Sequence, residues 1–414
     1  MAAQQQGVGM RVLYGVVGEG MGHATRSRVI LEHLLRSGHE LRVVVSGRAA
    51  RFLTEKFAGR PRIRVEEIHG LHLKFEGNDL DVSESVLSNL AAAPEGVKKN
   101  LEVYARVTAD FDAEVVISDF ESFAYFFGRA KQLPVISIDN MQVINRCRHN
   151  AFVTDDASFA FQLARLAVKA KLPGAYHYLV SSFFFPPVKK PRTTLVPPIL
   201  RPEILAAKRE RGEHVLVYQT AAANADALVA ALKRLPQAFR AYGTGKSGTD
   251  GNITFCPFSE TGFVDDLRTA RAVVAGGGYS LMGEAVHLHV PMLSIPIQGQ
   301  YEQELNARYL QQLGYGRHAT VVDVDVIDAF LRDTDTMQHA LSTYVPRDNG
   351  MLFGCLGELL RHVGLDEPPP PALSSPSLGS FTPPLPSNLA DALGDDEDDD
   401  LTDPSGLRPP RSRP

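Results

Sequence analysis

The 414 residues are too many for one compact core, since single cores stop growing at about 300 residues, and they suit two domains. Apolar residues make up 44% of the chain and charged residues 22%, values of a globular protein, and no run reaches the roughly 18 apolar residues that a membrane-spanning helix needs. The formal charge of −5 is uneven: residues 366–414 hold ten acids against three arginines, so the preceding 365 residues carry +2 and lack the clustered basic face of a nucleic-acid binder.

The N-terminus, MAAQQQGVGMRVLYG, has no basic region followed by a long apolar core, so a secretory signal is not expected. Cys147, Cys256 and Cys355 lie far apart with no CxxC pair, which points to buried thiols in a reducing cytoplasm. The expected location is cytoplasmic, with room for peripheral contact at the inner face of a membrane.

From Arg11 short apolar runs alternate with amphipathic stretches: RVLYGVV, RSRVILEHLLRSG, ELRVVVSG, AEVVISDF, YFFGRAKQL and PVISID. That alternation predicts βαβ units around a parallel sheet covered on both faces, and it assigns residues 10–200 to a first Rossmann-like domain. The triple Phe at 183–185 is read as a buried strand end entering a proline- and charge-rich linker, not as a membrane-touching patch.

The first run empties into GEGMGH, three glycines and His23 at the mouth of a helix, where backbone N–H groups and the helix dipole favour an anion. Gly18, Gly20 and Gly22 allow a ligand or another backbone to come close. The pattern is GxGxG, not GxGxxG, and the second strand ends in Ser46 where an acid would hold a ribose, so a nicotinamide dinucleotide is disfavoured. His23 stands at the carboxyl end of the first strand, where open α/β sheets bind ligands, and is a candidate general base. Asp119 ends the strand VVISD on the same sheet edge; it either orients the imidazole or caps the following helix.

A second cycle, HVLVYQT, FRAYG, NITFCPF, ARAVVAGGG, VPMLSIP and HATVVD, predicts a second Rossmann-like domain over residues 213–345. GTGKSG at 243–248 lacks the first glycine of a P-loop, Arg240 standing in its place, and is a polar turn. Gly276, Gly277 and Gly278 again bare a helix N-terminus, suited to a diphosphate, and Glu284 further along that helix suits the two hydroxyls of a ribose. Gln300, Glu302 and Gln303 offer hydrogen bonds to a polyhydroxylated ring. A last helix spans 346–364, and the tail over 365–414, with 12 prolines after residue 365 and the run DDEDDD, is expected to be disordered.

The series Gly277, Glu284, Pro296, Glu302, Gln303, Asn306 and Ala307 resembles the donor half of GT-B glycosyltransferases, in particular the MurG and UDP-glucuronosyltransferase-like group with a family 28 type C-terminal domain. The resemblance implies two facing Rossmann-like domains. It implies that Gly276 to Gly278 with Tyr279 and Ser280 bind the diphosphate, Glu284 the ribose and Glu302 with Gln303 the donor sugar, and that Phe258 lies near the base; Gln300 and Asn306 are counted among the donor-binding residues. In the first half it makes His23 similar to the base that deprotonates an acceptor, with Asp119 as its partner acid. Relatives often carry His or Arg two residues before the glycine that opens the donor helix; AGGGYS has only small residues there, so backbone amides and dipole carry the diphosphate.

The expectation is thus an inverting, metal-independent transfer from a nucleotide-sugar, UDP-sugar in first place, to an acceptor hydroxyl. No cofactor is expected, the nucleotide-sugar being a co-substrate. The DxD strings at 79–81, 323–325 and 333–335 read as a polar stretch, a helix cap and a turn. Arg26, Asn140 and Arg146 are candidates to touch an acceptor, which is a lipid-linked sugar, a polysaccharide or a small molecule. Two alternatives stand beside this: a UDP-sugar 2-epimerase-like enzyme and a non-catalytic nucleotide-sugar sensor or scaffold.

Overall fold

A computed structural model describes residues 9–18, 20–70, 74–76, 79–154, 158–219, 225–257, 259–371 and 373. The chain opens with β1 (Arg11–Val16), α1 (Met21–Arg36), β2 (Glu40–Val45), α2 (Gly47–Phe57) and β3 (Ile63–Glu67). A hairpin of β4 (Lys74–Glu76) and β5 (Asp79–Asp81) leads into α3 (Val82–Asp110), then β6 (Val115–Asp119), α4 (Ser122–Lys131) and β7 (Val135–Asp139). Three helices, α5 (Val143–Arg146), α6 (Ala151–Thr154) and α7 (Phe159–Lys171), precede β8 (His177–Ser181) and β9 (Thr193–Val196). After α8 (Pro202–Leu205) come β10 (Val215–Tyr218), α9 (Ala225–Leu232), β11 (Phe239–Tyr242), β12 (Gly248–Asp250), β13 (Ile253–Cys256) and α10 (Glu260–Thr269). The second half continues with β14 (Ala272–Ala275), α11 (Tyr279–His287), β15 (Met292–Ser294), α12 (Tyr301–Gln312) and β16 (Gly316–His318). It closes with α13 (Val324–Arg332), α14 (Thr334–Leu341) and α15 (Gly350–Gly364).

Two seven-stranded sheets result, in the orders β3-β2-β1-β6-β7-β8-β9 and β12-β13-β11-β10-β14-β15-β16. The first is parallel throughout, and in the second only the edge strand β12 runs antiparallel. Val12, Leu13, Tyr14 and Val16 of β1 have no exposure, as a parallel strand covered on both faces requires. Helix α1 turns Val29, Ile30, Leu31, Leu34 and Leu35 inward and stops before Gly38, whose φ of 94° only glycine adopts readily.

Three predicted details are corrected. The strand expected in HATVVD lies earlier, at Gly316–His318, because Asp323 caps α13 through the N–H groups of Asp325 and Val326 and draws the following residues into the helix. The linker carries β9, the outer strand of the first sheet. Cys147 and Cys355 are buried, but Cys256 is only partly so, since it ends a strand next to the antiparallel edge.

The lobes share a continuous apolar core. Phe183 and Phe184 are buried in it, as the strand-end reading expects. Phe183 stacks on Tyr279 of the second lobe at 6.2 Å, and Phe184 stacks on Tyr309 at 3.8 Å. Helix α15 returns to the first lobe, where Leu352, Leu356 and Leu359 join the core behind β1. The predicted tail begins inside folded structure: Pro371 O accepts the Arg192 N–H at 2.9 Å, and Leu373 is 6% exposed in the first-lobe core. Residues 374–414 lie outside the described residues.

Candidate active site

In the first sheet the strand order reverses between β1 and β6, which are parallel hydrogen-bonded neighbours, with Val16 opposite Asp119. Open α/β sheets form their ligand crevice at the carboxyl ends of such a pair. Asp119 ends β6 there, and Phe120 after it takes φ 55°, a left-handed conformation that costs a bulky residue on the order of 1–3 kcal/mol. The alternative role of Asp119 as helix cap belongs instead to Glu121, which accepts the Phe123 and Ala124 N–H groups at α4.

His23, in the first turn of α1, brings Nδ1 to 2.9 Å from Asp119 Oδ1. Arg26 lies one turn on and reaches the same carboxylate: its Nε donates to Oδ2 at 2.9 Å, and its Nη2 bonds Oδ1. Ser27 Oγ donates to Oδ2 at 2.9 Å. Burial by itself raises the Asp119 carboxyl, but Arg26 and His23 more than offset it and hold the group well below the usual carboxylate range. Burial, with Arg26 adding to it, pushes His23 below its ordinary value against the pull of Asp119. The imidazole is therefore neutral near pH 7, and its side chain stays 22% exposed.

His23 Nδ1 also lies 2.8 Å from Arg26 Nη2. Arg26 can only donate and Asp119 can only accept, so the tautomer chooses between them. With Nδ1–H donated to Asp119, the Nε2 lone pair is free to take a proton.

This geometry revises three expected placements. Arg26, foreseen as touching the acceptor, is 5% exposed and is the counter-ion of Asp119. Asn140 is 1% exposed and spans the lobes: its Nδ2 donates to Ser181 O at 2.9 Å, and its Oδ1 accepts from Asn306 Nδ2 at 3.0 Å. Arg146 is buried over the Tyr178 ring at 3.7 Å and donates to Thr193 Oγ1.

The glycines have separate reasons. A Cβ on Gly18 would stand 2.2 Å from Ser46 O, and one on Gly22 would stand 2.8 Å from Ser280 Oγ of the other lobe. Gly20 has open space but a φ of 87°. Gly18 and Gly22 are thus bare because protein passes close to them, the opposite lobe in the case of Gly22, and Gly20 because of its backbone conformation.

The second sheet reverses between β10 and β14, with Tyr218 opposite Ala275. Gly276 to Gly278 follow at once, and a small hollow at this crossover is lined by Tyr218, Gln219, Ala275, Gly276 and Ile295. Gln303 packs into the glycine turn, its Oε1 accepting the Gly277 and Ile297 N–H groups at 3.2 Å each. A Cβ on Gly277 would stand 2.4 Å from Gln303 Cβ, whereas Gly278 has nothing within 4 Å. Gln300 bonds Gln303 in turn. Glu302 Oε1 accepts from Asn306 Nδ2 at 2.8 Å, and burial with Asp139 nearby pushes its carboxyl up to about 7 against the pull of Arg26.

Two other expected donor residues, Tyr279 and Ser280, meet the first lobe. Tyr279 is buried with its hydroxyl 2.9 Å from Ser181 Oγ, and Ser280 meets Gly22. Glu284 is held at both oxygens by Arg201, at 2.7 and 2.8 Å. Sequence reasoning missed Arg201, which sits in the linker with no motif around it. Phe258 lies outside the described residues.

The model of the family described as Glycosyl transferase family 1 matches residues 10–334. A Methanosarcina mazei protein called an uncharacterized glycosyltransferase is 24% identical over 354 residues, covering 74% of this chain and 85% of that one. A Methanosarcina acetivorans protein of the same description is 24% identical over 358 residues, covering 78% and 87%. Among solved structures, Phytolacca americana UGT2 complexed with UDP-2fluoro-glucose and pterostilbene superposes with a TM-score of 0.62 at 13% identity, covering 86% of this chain and 99% of that one. Medicago truncatula UGT71G1 complexed with UDP-glucose gives 0.58 at 14% identity, covering 86% and 98%.

Proposed function

We propose, for a chain that belongs to Glycosyl transferase family 1 and has the two-lobed fold of a GT-B glycosyltransferase, that it moves a hexose from a UDP-sugar to an acceptor hydroxyl with inversion. The observation that carries this reading is the His23 imidazole, neutral, 2.9 Å from the buried Asp119 carboxylate and set where the lobes meet. His23 Nε2 takes the acceptor proton as the oxygen attacks the anomeric carbon. The bond to the diphosphate breaks, and its electron pair leaves on the β-phosphate oxygen. Asp119 steadies the imidazolium that forms.

On the donor side, the amides of Gly276 and Gly278 and the α11 dipole meet the growing diphosphate charge. The Arg201 contact leaves each Glu284 oxygen a further lone pair, which suits the ribose hydroxyls. The likeness to MurG and the family 28 type rests on the residues from Gly277 to Asn306. No metal enters the reaction, so turnover persists in EDTA.

Support for UDP comes from the nucleotides named with the structural neighbours. Thermal-shift measurements against UDP-, GDP-, TDP- and CDP-sugars come first, with the largest shift expected for a UDP-sugar. NMR of the product in the presence of acceptor then reads the anomeric configuration, and inversion is expected. Conversion of the sugar with donor alone would establish an epimerase, and tight binding with no turnover would establish a sensor; either result overturns the transferase reading.

A further inference from the structure

The end of the linker between the lobes lies against α11, the helix that follows the turn of Gly276 to Gly278. A Cβ on Gly283 would stand 2.8 Å from Pro198 Cβ, so the bare position on the helix lets the linker come close. Two residues on, the linker is held from its other side. The Leu200 N–H donates to Asn349 Oδ1 at 2.9 Å, and its carbonyl accepts from Asn349 Nδ2 at 2.6 Å.

From this fixed backbone Arg201 reaches Glu284, the residue after Gly283. Its Nε donates to Oε1 at 2.7 Å and its Nη2 to Oε2 at 2.8 Å. These are the two parallel bonds of a guanidinium fork, which set the plane of a carboxylate as well as its position. The guanidinium lies 5.9 Å from the centre of the Phe263 ring of α10. Both partners are nearly out of solvent, Arg201 at 9% exposure and Glu284 at 7%.

Stability alone does not explain the pair. Desolvating two charges offsets most of what their attraction returns, and apolar residues of the same volume would serve the fold as well. What the fork provides is a carboxylate of fixed orientation, away from water, with a lone pair on each oxygen that Arg201 does not use. Such an acceptor selects by what approaches it. A sugar with neighbouring hydroxyls donates to it, and a sugar without them leaves it short of partners.

We propose that Arg201 is a positioning residue that determines specificity: by fixing the Glu284 carboxylate, it makes the nucleotide site select ribose over a sugar that lacks the 2′- and 3′-hydroxyls. The inference rests on the reading of Glu284 as the ribose acceptor and extends the nucleotide site to the linker. Calorimetric titration of the full chain with UDP and with 2′,3′-dideoxy-UDP tests it. Wild type is expected to bind UDP about 10²-fold more tightly, as hydrogen bonds to a charged acceptor require. Arg201→Ala should bring the two nucleotides within about threefold of each other, with 2′,3′-dideoxy-UDP bound as in wild type, which also shows that the site is folded. Arg201→Lys, which keeps the charge and loses the fork, should fall between. Equal losses for both nucleotides would make Arg201 a structural residue and overturn the proposal. So would a preference that both Arg201 variants keep while Glu284→Ala abolishes it. A wild type that does not prefer UDP, or a Glu284→Ala variant that keeps the preference, is a different failure: it removes the ribose reading, and the proposal falls with it.

Discussion

The order of strands reverses at equivalent places, β1 beside β6 in the first lobe and β10 beside β14 in the second, and each crossover is followed by a glycine turn and a helix N-terminus. What stands there differs in charge. In the first lobe a buried carboxylate, a buried guanidinium and an imidazole are packed together. In the second, neutral amides of Gln303 and Gln300 line the turn. A buried charge must be paired, so the first crossover is specified by its counter-ion; an amide-lined turn carries no such requirement, and only its Gly277 N–H is bonded by Gln303. On the proposed reading, one backbone plan would serve a proton at one crossover and a diphosphate at the other.

The largest test of this contrast is removal of a charge. Asp119→Ala leaves Arg26 buried without its partner and should cost about 3–5 kcal/mol in urea unfolding, with about a 10⁴-fold loss of turnover. Adding Arg26→Ala should restore much of the stability and none of the activity. A double variant no more stable than the single one would refute the counter-ion assignment. Next in size, His23→Ala should lower kcat/KM by about 10²–10⁴-fold with the fold intact, measured by steady-state transfer and thermal melting. Retained activity would remove His23 from the reaction.

In the second lobe the effects are steric. Gly277→Ala drives a Cβ into Gln303 and should cost about 1–3 kcal/mol and weaken UDP-sugar binding, whereas Gly278→Ala, with open space, should change stability by less than about 0.5 kcal/mol. Equal effects at the two positions would show that packing of α12 does not shape this turn.

The smallest effect is in pH dependence. Glu302 titrates at about 7 in the fold against an ordinary 4.5, so its contribution is present below pH 4.5 and is lost as pH rises through 7. His23 is depressed, so its contribution is lost as pH falls from 6.5 through its lower folded value. Glu302→Gln should remove the first of these trends and raise stability at pH 8 by on the order of 1–2 kcal/mol. A urea-unfolding profile identical to wild type would place Glu302 in contact with water.

Much of the first crossover was legible before any coordinates. VVISD announces a buried strand by its apolar run, and an acid at its end projects from the sheet edge; GEGMGH announces a turn by composition. Arg26 carried a signal that went unused, since three residues after His23 on a helix it must face the same way. The Arg201 pairing with Glu284 joins residues 83 apart and the Asn140 pairing with Asn306 joins residues 166 apart, and no local pattern encodes either.

What the sequence determined by itself is where backbone becomes strand or helix and which chemical groups stand at the strand ends, because apolar period and glycine content act over a few residues. Which groups neutralise one another, and whether a glycine is bare for a ligand or for a neighbouring residue, was decided only when distant segments packed. Burial sets the free energy of a charge and the room beside a backbone, and burial is a property of the assembled lobes.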